Sequence, residues 1–136
     1  MNKKLFANLI ENAEKEVKLY LKGDPENWDD KITAISMLVY FIDHEFDSNI
    51  IYLVDLEYNA GNLEESISFY WDTQYIDEDE SINEEIKREN ADIIKEALDG
   101  VKNDAARCLK NIRYLKANLD WFCQPGVNHY LHTTEW

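Results

Sequence analysis

The sequence predicts an all-α protein, a compact bundle of four to five helices whose longest member is C-terminal. Three observations lead there. Apolar residues recur at helical spacing along most of the chain, only four Gly and two Pro interrupt 136 residues, and the hydrophobic fraction of 45% suffices for a core despite a net charge of −14. At this length we expect a single domain over 1–136, able to bury roughly two-thirds of its unfolded surface.

The first element, about residues 3–22, carries Phe6, Leu9, Ile10, Ala13, Val17, Tyr20 and Leu21 on one face, and Gly23 ends it. In "GDPENWDD", Asp24 suits a cap and Pro25 a first helical position. Trp28, Ile32, Ile35, Val39, Ile42 and Phe46 then step by four and three, a second seam over about 26–46. Residues 48–76 are ambiguous. Their β-branched and aromatic runs around "NAGN" allow a short β-hairpin, but Asn62 followed by Glu65 resembles a capping box, and Leu63, Ile67, Tyr70 and Trp71 share a helical face. Two short helices are the favoured expectation there.

Ser81 and Glu84 form a further capping box. From Ile94 the apolar positions run Leu98, Val101, Ala105, Cys108, Ile112, Leu115, Leu119 and Phe122, and "QPG" at 124–126 stops the helix. One helix over about 82–123 is expected. On it, Cys108 and Cys123 stand ~22 Å apart along the axis, too far for a disulfide. Two free thiols, no apolar run near membrane-spanning length, and early glutamates that interrupt any leader-like core lead to an expectation of a cytoplasmic protein that does not enter a membrane.

Charge is the most informative feature. Residues 24–99 hold 22 acidic and four basic side chains, whereas 1–23 and 100–136 each hold five basic and three acidic ones. On the long helix, Glu85, Glu89, Asp92, Glu96 and Asp99 are spaced four, three, four and three apart, opposite the apolar seam. Neighbouring carboxylates at this spacing repel, so the ladder opposes helix formation. Dipole complementation explains acids early and bases late on one helix, but not the eleven acids and single lysine of residues 24–65. An acidic recognition surface for a basic partner is therefore expected. Its candidate residues are the ladder, the run Asp77, Glu78, Asp79 and Glu80, and Asp72, with Trp71 and Tyr75 as aromatic anchors.

Motifs for chemistry are sparse. His129-x-x-His132-x-x-Glu135 and the surroundings of His44 are weak zinc candidates, and the Glu11/Glu14 and Asp43/Asp47 pairs only partly match an all-helical magnesium pyrophosphatase pattern. Cys108 sits in the seam, and Cys123 near a helix C-terminus lacks an activating field. No phosphate-binding glycine loop and no basic stripe occurs, which disfavours direct nucleic-acid binding. No catalytic residue, metal or cofactor is assigned.

In size, acidity, helical character and want of a catalytic motif, the chain resembles bacterial toxin immunity proteins of the colicin and contact-dependent growth inhibition type. The resemblance is one of overall character and matches no motif. It implies a monomer before binding that neutralises a basic nuclease toxin. Phage-encoded inhibitors of host defence nucleases, including anti-CRISPR proteins and DNA mimics, share the profile, and a small magnesium-dependent all-α hydrolase is a further alternative.

Overall fold

The structure is a computed structural model that describes residues 2–28, 31–46, 51–77 and 84–123. Among them are five α-helices and no strand: α1 (Lys3–Leu21), α2 (Thr33–Glu45), α3 (Ile51–Asp77), α4 (Glu84–Ala117) and the single turn α5 (Leu119–Phe122). Helix α1 packs antiparallel against α2 and α4, while α3 packs antiparallel along α4 and more lightly against α2. The four long elements thus form an up-and-down bundle closed around one apolar cluster. No described helix is long and apolar enough to cross a membrane.

Helix α1 begins where the Asn2 side chain accepts a hydrogen bond from the Leu5 N–H at 3.0 Å. It ends at Gly23, whose φ of +67° lies in the left-handed region that glycine adopts without strain. The Lys102 side chain of α4 lies against Gly23 so closely that a Cβ there would sit 2.2 Å from its Cε. That places a cation beside the negative end of α1.

The expected helix over 26–46 is replaced by a 3-10 turn at Pro25–Asn27 and by α2 starting only at Thr33. Tertiary contacts impose the difference. Trp28 leaves the helical path to pack between Tyr20 and Tyr70, with ring centroids at 5.4 and 5.2 Å, and its indole N–H donates to the Leu19 carbonyl at 3.1 Å. The expected seam otherwise holds, with Ile32, Ile35, Ile42 and Phe46 buried; only Val39 gives way to Leu38, which is fully buried while Val39 is half-exposed.

The N-cap residue of α2, Ile32, offers no capping side chain. The Glu16 carboxylate on α1 takes that role, accepting from the Ala34 and Ile35 N–H groups at 3.1 and 3.0 Å. This anion at a helix N-terminus both fills orphan donors and complements the dipole. Glu16→Ala is expected to lower stability by about 1–2 kcal/mol, read from urea unfolding, with the helix content of the folded state little changed.

Residues 51–77 form one helix, neither a hairpin nor two short helices. "NAGN" continues as helix because Leu56, Ala60, Leu63, Ile67 and Tyr70 keep a four-three seam through it, all of them buried. Gly61 at the exposed side weakens the helix by about 1 kcal/mol relative to alanine, less than the burial of the flanking leucines contributes.

The α3–α4 contact carries two polar rungs. Asn59 donates to Asn111 at 2.7 Å, and Ser66 donates to the buried carboxylate of Asp104, which also accepts from Arg107 at 3.0 Å. The rungs are seven residues apart on both helices, so any register slip would break both at once.

The last expected helix is also interrupted. Helix α4 ends at Ala117, where the Asn118 side-chain amide donates to the Tyr114 carbonyl at 2.9 Å, and α5 turns Phe122 into the core beside Phe46. An ion pair from Lys3 to Asp120 ties α5 to the start of α1. The apolar seam otherwise holds: Val101, Ala105, Cys108, Ile112 and Leu115 are buried, with Ile94 and Leu98 at its edge.

Candidate interaction surface

The outer side of α4 presents Glu89, Asp92, Glu96 and Asp99, all exposed and opposite the buried stripe of Ala97, Val101 and Ala105. Glu85 falls in the first turn of the same helix. Tyr75 and Asp77 fall in the last turn of α3. Glu78, Asp79, Glu80, Asp47 and the His129, His132, Glu135 motif lie outside the described residues.

Beside the ladder, the outer face of α3 adds acids that charge counting alone did not place. Three shallow depressions cross it. One between α2 and α3 is lined by Asp43, Glu57, Gly61 and Glu64. A second lies on α3 itself, over Gly61, Glu64, Glu65, Phe69 and Asp72. The third, between α3 and α4, is lined by Glu65, Phe69, Glu96, Gly100 and Asp104. Shared residues make them one surface, lined by seven carboxylates and, among the described residues, by no lysine or arginine. Of the seven, Asp104 is buried and already paired, so its role is in the α3–α4 register.

Phe69 stands in the middle of this surface, 51% exposed. The aromatic residues that the sequence singled out are placed differently. Trp71 is half-buried at the edge of the core, edge-on to Tyr70 at 5.3 Å, with its indole N–H enclosed and without an acceptor among the described residues. Asp72 is exposed beside it. The signal for Phe69 was present: it lies far from the Leu63, Ile67, Tyr70 seam once 51–77 is read as one helix.

Several basic residues are engaged in ion pairs. Glu14 on α1 receives Lys18 and Lys116 at 3.3 Å each, and Arg107 is held by Asp104. Burial alone would raise the Glu14 pKa, but the hydrogen bonds from the two lysines outweigh it and hold the carboxyl below its usual range. The depressions on the α2–α3–α4 side are thus lined by acids, while Glu14 on α1 is paired with cations of α1 and α4.

Among the described residues no three His, Cys, Asp or Glu side chains are grouped to hold a metal ion. His44 stacks on Tyr40, centroids 4.1 Å apart, and its Nδ1 lies 2.9 Å from the Tyr40 carbonyl. Burial, with Asp104 nearby, pushes the Cys108 thiol up to about 12, and burial also raises Cys123. Both shifts disfavour the thiolate.

Repulsion within the ladder is a measurable property of the free protein. Converting Glu89, Asp92, Glu96 and Asp99 to their amides is expected to raise stability by about 1 kcal/mol at low salt, from three relieved neighbour pairs, and by much less in molar salt. Urea unfolding at the two ionic strengths checks it.

Compared with family models, curated proteins and solved structures, the chain matches none.

Proposed function

We propose that this protein is an acidic inhibitor that binds and neutralises a basic nuclease-type toxin domain, as immunity proteins do. The observation that carries the reading is the continuous acidic surface over α2, α3 and α4, with no lysine or arginine among the described residues lining its depressions and Phe69 exposed at its centre. Nucleic-acid-cleaving domains hold lysines and arginines where they meet the phosphates, which place one negative charge per ~1.7 Å of duplex axis. Carboxylates on a rigid helical face compete for that same field, and their long-range attraction speeds encounter. An exposed aromatic ring amid the acids supplies the apolar contact that charge in water does not. The polar rungs between α3 and α4 hold the two helices in register, so the surface is formed before binding.

The test is direct. A nuclease domain encoded beside this chain, mixed with an equimolar amount of the protein, should lose cleavage of its DNA or RNA substrate and run with it as a 1:1 complex. The complex should bury on the order of 1,200–2,000 Å². Full cleavage at a several-fold excess of this protein, with no complex on gel filtration, rules the pairing out.

A further inference from the structure

A groove of about 780 Å³ runs between α1 and α2, on the flank of the acidic surface. Its walls are apolar, formed by Leu5, Leu9, Met37, Tyr40 and Phe41. Leu5, Met37 and Tyr40 are 44%, 55% and 67% exposed, although each is large and apolar or aromatic. The bundle does not use them, since α2 buries Ile35, Leu38 and Ile42 instead. An apolar groove of this size, open along a helix pair, is the shape that receives an amphipathic helix. Helix α2 is 13 residues long, so an incoming helix of three to four turns would match its ~20 Å.

The rim decides what kind of segment fits. Glu45 and Glu64 border the groove, and among the described residues Lys31 is the one lysine or arginine lining it. Tyr40, Ser36, Ile32 and Glu64 also line the α2–α3 depression, which adds Asp43 and Glu57, so the apolar groove passes directly into the acidic surface. A second copy of this chain would bring the same acidic rim and a net charge of −14 against it. The chain's own residues 124–136 include Glu135 and neither lysine nor arginine, so they lack the complement. We propose that the groove takes the apolar face of a basic amphipathic helix belonging to the partner protein, with lysines or arginines of that helix meeting Glu45, Glu64 and the adjoining acids. The inference rests on the proposed inhibitor role for the partner's charge, and on the groove itself for the partner's shape.

The experiment uses the full chain, labelled at its methyl groups for NMR. The probe is a synthetic Leu/Lys peptide of about 14 residues, with leucines at helical i, i+3, i+4, i+7 spacing. Its controls are a scramble of the same composition and a Leu/Glu peptide of the same pattern. The expected result is saturable binding of the patterned Leu/Lys peptide, with shifts centred on Leu5, Leu9 and Met37. Met37→Glu, and separately Tyr40→Ser, should weaken it by about tenfold or more, while the exposure of both sites keeps the variants folded. Equal binding of the scramble, untouched by either variant, would overturn the groove as a site while leaving the acidic surface as the electrostatic contact. Equal binding of the Leu/Glu peptide would overturn the basic partner. Contacts between Met37 and Val127 or Leu131 in the peptide-free protein would make the chain's own C-terminal segment the occupant. Self-association abolished by Met37→Glu would assign the groove to a second copy. Peptide binding in the groove without inhibition of a neighbouring nuclease would uphold the groove and remove the inhibitor reading.

Discussion

Replacing Trp28 with alanine is expected to lower the free energy of unfolding by about 4 kcal/mol and the melting temperature by about 15 °C. Trp28 is 7% exposed and stands where the chain turns from α1 to α2. Its ring touches Tyr20 on α1 and Tyr70 on α3, so one side chain joins elements that are distant in sequence. Truncation removes the area of the largest side chain type, leaves a cavity lined by two rigid rings, and orphans the Leu19 carbonyl. Trp28→Phe separates these contributions. It keeps much of the packing and loses the hydrogen bond, so about 1–2 kcal/mol should be lost. Chemical denaturation of both variants measures the difference. Equal losses for Phe and Ala would show that the indole N–H, not the packing, dominates at this corner.

Reversing Glu64, Glu65, Asp72 and Glu96 to lysine is expected to slow association with a basic partner by about 100-fold at low ionic strength, with a much smaller effect on dissociation. All four side chains are exposed and lie outside the polar rungs, so the variant should unfold near the wild-type denaturant midpoint. Four reversals shift the net charge by eight, from −14 to −6, and they do so at the centre of the surface. Raising salt should bring the two association rates together, because screening acts within about 10 Å at 0.1 M. Stopped-flow rates at several salt concentrations provide the measurement. A variant that associates as fast as wild type in low salt would move the contact away from α3. Phe69→Ala addresses the other half of the binding energy and should appear in the dissociation rate instead.

Much of the core was legible from one-dimensional spacing. Phe6, Ile10, Ala13 and Val17 on α1, and Val101, Ala105, Cys108, Ile112 and Leu115 on α4, are buried as their periodicity requires. What failed was continuity. Residues 51–77 form one helix because its buried residues keep phase through Gly61, although Tyr58 and Phe69 outside the seam blur the pattern. The spacing over 26–46 places Trp28 in the helix, yet its ring gains more by packing across the turn. Asn118 breaks the last helix so that Phe122 can reach Phe46. In each case a contact between residues far apart in the chain outweighed local preference.

The same division holds for the surface. The excess of acid in residues 24–99 and the α4 ladder follow from composition and helical repeat alone. That Glu64, Glu65 and Asp72 join Glu96 around an exposed Phe69, while Trp71 turns toward the core, was decided by how α3 is rotated against α4. That rotation is set by paired side chains such as Ser66 with Asp104 and Asn59 with Asn111, 38 and 52 residues apart in the chain. Periodicity within one helix carries no information about the facing angle of another, which is why only the packed bundle reveals the combined face.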